Sequence, residues 1–207
     1  MTLRTLCLGE LDTNCHIVWD ENRVALVIDP ADEADAILSV IESEQLSVVA
    51  VVLTHVHFDH LMAAEKVCAA TGAPLCIGAG DEDALSDPIR NLSGVFQMCE
   101  PACLEADKIL SEGDMLTVGE LSFAILETPG HTPGCICLMG EGVLFAGDTL
   151  FRDSIGRVDF PGSDVSAMVA SLRRLVELPA DLTVYSGHGP ATTIGREMER
   201  NPYLQRI

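Results

Sequence analysis

Four short apolar runs in this chain each lead into a metal-binding residue type, and this constrains the fold more than any other feature. Val48 to Leu53 is followed by Thr54 and then His55-Val56-His57-Phe58-Asp59-His60. The run ending near Glu127 leads into Thr128-Pro129-Gly130-His131-Thr132-Pro133-Gly134, Val143 to Ala146 into Gly147-Asp148-Thr149, and Leu182 to Tyr185 into Gly187-His188-Gly189-Pro190. Five of the six histidines among 207 residues fall in this pattern. If the runs are strands, their C-terminal ends must lie side by side for these groups to meet, which is where α/β proteins place their sites.

The local spacing divides the residues into two sets. In an extended segment, residues two apart project the same way, so His55 and His57 grip one ion, while the turn into a following helix redirects Asp59 and His60 to a second. Prolines and glycines on both sides of His131 fix a rigid turn. His55, His57 and His131 therefore form the first set, Asp59, His60 and His188 the second, and Asp148 bridges them. Against two divalent ions, two carboxylates and one hydroxide leave a net positive charge able to polarise a carbonyl. Imidazole with carboxylate suits zinc, and iron or manganese would also fit. Alone, His131 or His188 would read as an ordinary core or surface histidine; with the six-residue block they do not.

Composition limits the function classes. The formal charge of −20, from 32 acidic against 12 basic residues, would repel a phosphate backbone and argues against a nucleic-acid substrate. No apolar stretch is long enough to span a bilayer, and Met1 to Glu10 lacks a basic region followed by an apolar run. A soluble, cytoplasmic protein with no membrane partner is expected. Eight cysteines at irregular spacings, with Cys135 and Cys137 two apart on one expected strand, read as reduced core residues rather than disulfides.

Strands are expected at Arg23 to Ile28, Ser47 to Leu53, Leu121 to Leu126, Cys135 to Leu138, Val143 to Ala146 and Leu182 to Tyr185. Helices are expected at Asp32 to Gln45, His60 to Thr71, Ser163 to Leu178 and briefly after Thr192. This is an α/β pattern of mixed strand order, long enough for two sheets covered by outer helices. Gly80 to Pro101 reads as a loop beside the site. No linker or repeat divides the chain, so one domain over 1–207 is expected, with a weak two-half organisation breaking near Ser111. Nothing in the sequence selects an oligomeric state.

At these residues the chain resembles the metallo-β-lactamase fold superfamily, whose signature is the His-x-His-x-Asp-His block followed by separate His, Asp and His positions. Asp29-Pro30 resembles the family's first motif with Ala31 in place of glycine, and Asn14-Cys15-His16 resembles an Asn-Cys-Tyr motif, with His16 read as an ordinary strand histidine. The resemblance implies a four-layer αββα sandwich of two mixed β-sheets. Within the superfamily, Thr149-Leu150-Phe151, Ser154-Ile155-Gly156-Arg157, Phe160-Pro161-Gly162, Gly187 to Thr193 and Asn201-Pro202 look like the glyoxalase II group, which hydrolyses hydroxyacyl-glutathione thioesters. Only 17 residues follow Pro190, so short members lacking the helical glutathione-binding domain are the nearer match. Arg157 falls where a basic residue meets the glutathione carboxylate, and a surface salt bridge is the equal alternative for it.

The implied reaction is hydrolysis of a small-molecule thioester, an S-hydroxyacylglutathione first, by a hydroxide bridging two divalent ions, with Asp59 and Asp148 orienting it as ligands. A thiolate leaves without much protonation, so no dedicated general acid is required. Three alternatives stand beside this reading. One is a mononuclear iron persulfide dioxygenase, using His131, Asp148 and either His57 or His55; the others are a lactonase and a non-catalytic metal-binding member.

Overall fold

The computed structural model describes residues 1–97 and 104–207. Strands β1 (Thr2–Leu8), β2 (Thr13–Trp19), β3 (Val24–Ile28), β4 (Ser47–Val52), β5 (Leu75–Gly78) and β6 (Lys108–Leu110) form one sheet in sequential order. It is antiparallel from β1 to β3 and parallel from β3 to β6, so it is mixed. Strands β7 (Met115–Val118), β8 (Leu121–Glu127), β9 (Ile136–Gly140), β10 (Val143–Gly147), β11 (Leu150–Phe151), β12 (Ser154–Ile155), β13 (Thr183–Ser186) and β14 (Thr192–Thr193) make up the rest. The second sheet runs β14-β13-β10-β9-β8-β7, with only β10 and β13 parallel, while β11 and β12 form a separate small hairpin. The chain passes from the first sheet to the second between Leu110 and Met115, at the break near Ser111 that the sequence suggested.

Alternation along the strands explains the layers. In β3, Leu26 and Ile28 face the second sheet while Ala25 and Val27 face the opposite way; in β10, Val143 and Phe145 face the first sheet while Leu144 and Ala146 do not. The inward residues of both sheets interdigitate, with Phe145 packed against Phe123 and stacked on Tyr185. Helices α1 (Ala34–Ser43), α2 (Phe58–Leu61), α3 (Ala64–Thr71), α4 (Val165–Leu175) and α5 (Ile194–Arg200) cover the outer faces. Ile37 and Ile41 of α1 and Val67 of α3 bury Val27 and Val51. Met168, Leu172 and Leu175 of α4 and Ile194 of α5 bury Leu144 and Val184. The result is the expected αββα sandwich of two mixed sheets.

Several boundaries differ from the sequence expectation. The expected helix from His60 to Thr71 is two pieces, α2 and α3, broken at Met62 and Ala63. The helix expected over Asp32 to Gln45 is shorter, because Glu33 and Gln45 both have positive φ. Strand β2 was anticipated only through His16, read as a strand histidine, and β1, β5, β6, β7, β14 and the β11–β12 hairpin were not anticipated. Of the Gly80 to Pro101 segment, residues 98–101 lie outside the described residues; the remainder holds one 3₁₀ turn, Ala79–Ala84, followed by turns. Among the described residues, no helix is long and apolar enough to cross a membrane, and Cys7, Cys15, Cys68, Cys76, Cys135 and Cys137 are all free thiols.

The inter-sheet layer is the part whose packing holds the strand ends in register. Phe145→Ala is expected to lower unfolding stability by about 3–5 kcal/mol. Met115→Ala, on an exposed edge side chain, should change it by no more than about 0.5 kcal/mol. Urea titration followed by far-UV circular dichroism, at matched metal content, checks both.

Candidate metal centre

The loop leaving β4 is held by an acid before it bears any ligand. Asp29, at the end of β3 with positive φ, accepts from Thr54 backbone N and Thr54 Oγ1, both at 2.7 Å. This fixes the loop from Thr54 to His57, which bends at Thr54 and His55 as it leaves the sheet. The next turn starts α2 and carries Asp59 and His60; the His60 ring stays close to His55, 4.1 Å between centroids, so the two donor sets adjoin there. A second buried acid, Asp81, joins this loop to the His131 turn: it accepts from Val56 N at 3.2 Å, Thr132 Oγ1 at 2.7 Å and Gly134 N at 2.8 Å.

The His131 turn requires glycine at position 130. Gly130 has φ +148°, and a Cβ there would fall 2.5 Å from Met168 Cα in α4. Its carbonyl accepts from Asp164 N, and the Asp164 side chain caps α4 by accepting from Ser166 N and Ala167 N. The turn and the helix therefore fix each other. A Cβ on Gly187 would sit 2.2 Å from Asp148 Oδ1 and 2.6 Å from His60 Cε1, so glycine there keeps the space for the carboxylate.

All seven residues singled out in the sequence come together. His57 Nδ1 lies 2.8 Å from His131 Nε2, and the His55 ring is within 5 Å of both rings, centroid to centroid. His188 Nε2 is 3.2 Å and His60 Nε2 3.5 Å from Asp59 Oδ2. Asp148 lies between the sets: Oδ1 is 3.4 Å from His60 Nε2, and Oδ2 is 3.5 Å from His131 Nε2 and 3.6 Å from His188 Nε2. Three groups of potential ligand atoms each fall within 4.8 Å: His55, His57 and His131; His55, His60 and Asp148; and Asp59, His60 and His188.

Three of the remaining ring nitrogens are held from behind, while His57 Nε2 is buried without a partner. His131 Nδ1 donates to the Arg157 carbonyl at 2.7 Å, and His188 Nδ1 to the Leu11 carbonyl at 3.1 Å. His55 Nδ1 is 3.2 Å from Thr54 Oγ1. His60 Nδ1 is 3.0 Å from Asp29 Oδ2 but off the line of a hydrogen bond. Thr13 Oγ1 donates to Asp59 Oδ2 at 2.8 Å. Such partners orient a ligating imidazole or carboxylate.

Electrostatics make the cluster a cation site. Burial pushes His55 well down and His57 down to about 3, with the neighbouring imidazoles adding to both, so these rings are neutral and offer a lone pair. Burial opposes ionisation of Asp59 and Asp148 too, but His60 and its neighbours outweigh it and hold both carboxyls below their usual range. His60 is shifted up despite its burial, by Asp59, Asp148 and Asp29. Among the described residues, His55 Nε2, His60 Nε2 and Asp148 Oδ1 are buried without a hydrogen-bond partner, which costs about 1–3 kcal/mol per group. Divalent ions would engage those atoms, and the imidazole and carboxylate donors fit zinc, iron or manganese.

His16 stands outside the cluster as an ordinary buried strand histidine, between Thr5 Oγ1 and the Ser186 carbonyl and against Phe145. Arg157 lines the cavity over the cluster, but its guanidinium is exposed, paired with Asp159 through contacts of 2.9 and 2.8 Å, and placed 4.1 Å above the Phe160 ring. The salt bridge allowed for in the sequence is therefore present. Reasoning from sequence missed Asp81, Thr13 and the Leu11 and Arg157 carbonyls. Asp81 sits in a run, Asp81-Glu82-Asp83, that reads as solvated surface, and backbone carbonyls carry no residue signal at all.

The cavity over the cluster has a volume of about 310 Å³, and its walls include Leu92, Phe96, Phe151 and Phe160. The loop expected beside the site thus contributes Leu92 and Phe96.

Comparison with known proteins agrees with this geometry. The chain is 34% identical to the hydroxyacylglutathione hydrolase GloC of Haemophilus influenzae, over 99% of this chain and 98% of that one. Among solved structures, it is similar to the BLEG-1 B3 metallo-beta-lactamase, with TM-score 0.93 and 36% identity over 98% and 99% of the two chains. It also matches TTHA1623 in a di-iron-bound form, with TM-score 0.87 and 34% identity over 97% and 100%. ETHE1 from Myxococcus xanthus gives TM-score 0.84 and 30% identity over 99% and 84%. The sequence pattern of the metallo-beta-lactamase superfamily matches residues 8–188, and with the His/Asp cluster in place the chain belongs to that superfamily.

Proposed function

We propose that this protein is a binuclear metal-dependent hydrolase of thioesters, with S-hydroxyacylglutathione as its substrate type. The observation that carries the reading is the pair of donor sets, His55/His57/His131 and Asp59/His60/His188, joined through Asp148. Similarity to GloC along the whole chain supports the thioester class. Held by His55, His57, His131, Asp59, His60, His188 and Asp148, divalent ions would lower the pKa of bound water to about 7 and would supply Lewis acidity toward the substrate carbonyl.

The chain's own residues supply the remainder. Asp148 holds the two sets at a fixed separation, and Asp59, anchored by Thr13, anchors the second. Phe151 and Phe160 flank the cavity and exclude water from the reacting carbonyl. Among the described residues lining it, the only titratable groups are those of the donor sets and Arg157. No dedicated acid stands ready for a poor leaving group. A thiolate, with conjugate-acid pKa near 8.5, leaves without one, whereas an amine would not. Arg157, at the rim, is placed to meet a carboxylate on the thiol carrier once it exchanges Asp159 for it.

Three tests follow. Elemental analysis after loading should give two metal ions per chain; a plateau at one iron, with dioxygen consumed on addition of glutathione persulfide, would replace the hydrolase reading with the dioxygenase one. Asp148→Ala should lower kcat/KM for lactoyl-glutathione by on the order of 10²–10³-fold, more than any single histidine replacement, and reduce metal content. His16→Phe should leave the metal content unchanged. Arg157→Ala should raise KM for lactoyl-glutathione several-fold while sparing a simple acyl thioester, and Asp159→Ala, which frees the guanidinium, should lower that KM. Equal effects on both substrates would mean that the carrier is not recognised here. Faster turnover of nitrocefin or a lactone than of any thioester would move the assignment to those ester and amide classes.

A further inference from the structure

We infer that a second, smaller cavity beside Asp59 receives the acyl group and selects short hydrocarbon chains, an assignment that rests on the thioester reading above. This cavity has a volume of about 160 Å³ and adjoins the larger one, with Leu11, Phe58, Asp59 and Phe96 lining both. Its walls are Leu8, Leu11, Ala31, Phe58, Met62 and Phe96. Leu8, Ala31 and Phe58 are buried, and Met62 enters because the helix after the His55–His60 block breaks between α2 and α3.

Size decides which half of the substrate goes where. At about 30 Å³ per water-sized group, 160 Å³ holds about five non-hydrogen atoms. A peptidic thiol carrier is far larger than that, and the larger cavity holds Asp148 together with Arg157, the only cation lining either space among the described residues. The carrier therefore lies against the larger cavity beside Arg157 and extends beyond it, the carbonyl sits over Asp148, and the chain beyond the carbonyl carbon runs past Asp59 into the smaller one.

Polarity decides what that chain can be. The one wall hydroxyl, Thr13 Oγ1, already donates to Asp59, and the Gly9 backbone N donates to Glu33 Oε1. Glu10 and Asp32 stand exposed at the opening. A carboxylate-tipped acyl group would meet three acids and no free cation, whereas methylenes would replace water against Leu8, Phe58 and Met62. Each buried methylene contributes about 0.8 kcal/mol, or about fourfold in kcat/KM when its burial is complete.

The test is a glutathione thioester series, acetyl, butanoyl, pentanoyl, hexanoyl, decanoyl and glutaryl, on the metal-loaded protein. The expected kcat/KM rises about two- to fourfold per methylene to about hexanoyl and falls for decanoyl, and glutaryl is worse than pentanoyl by tenfold or more. Met62→Phe, which narrows the cavity, should abolish the gain of hexanoyl over acetyl in kcat/KM. Met62→Ala, which only removes atoms, should move the optimum to longer chains. A profile flat with chain length in the wild type, or variants that scale every substrate alike, would overturn the acyl-pocket assignment and leave the thioester reading in place. Failure to hydrolyse any member, acetyl included, would overturn the thioester reading and this assignment with it.

Discussion

Two carboxylates buried among five imidazoles form the interaction on which this structure turns. A buried carboxylate is costly unless positive charge or donors surround it, and Asp148 satisfies that condition only because three different segments bring His60, His131 and His188 to within 3.6 Å of it. Neutral, crowded imidazoles gain nothing from each other's company either. The cluster makes physical sense as a receptor for divalent charge, which converts the unpartnered Nε2 atoms of His55 and His60 and Oδ1 of Asp148 into ligands.

The scaffold behind the cluster uses other acids as backbone clamps. Asp29 ties Thr54 to the end of β3, and Asp81 ties Val56 to the Thr132–Gly134 turn, each through charge-assisted hydrogen bonds. Their consequence is rigidity at the two loops that must converge: His57 and His131 meet at 2.8 Å although 74 residues separate them. Leu11, whose carbonyl holds His188, extends the same logic to the β1–β2 loop. One loop thus orients a ligand through its backbone and lines both cavities through its side chain.

The strand ends that bear ligands were legible because buried strands write themselves as apolar runs, and β4, β8, β10 and β13 all do so. All seven cluster residues could be named for the same reason: a ligand after a buried strand stands out against its surroundings. Strand β2 did not stand out, although every residue in it is buried, because Thr13, Asn14 and His16 interrupt its hydrophobicity and spend their polar groups on Asp59 and on the β13 end. Strand β1 is mostly exposed and β7 is a four-residue edge, so neither carries enough pattern. The break after α2 was hidden because Met62 and Ala63 are good helix formers; tertiary placement of His60 overrides their propensity. Asp81 was invisible for the opposite reason, being a buried acid inside a run that looks solvated.

A shared metal centre cannot by itself choose a substrate, and the comparisons make the point sharply. Proteins described as a B3 metallo-beta-lactamase and as a hydroxyacylglutathione hydrolase are both more than 30% identical to this chain over nearly its whole length. A Lewis-acid centre in a polar cluster treats carbonyl groups much alike, so discrimination must come from differential contacts to the groups on either side of the carbonyl. On the reading proposed above, those contacts lie on Phe151, Phe160 and the Arg157–Asp159 pair in the larger cavity and on Leu8, Phe58 and Met62 in the smaller one. None of these residues is a ligand, and all but Phe58 lie outside the His55–His60 block. The cluster can therefore stay constant while the walls change, and discrimination between substrates falls to residues that bind no metal.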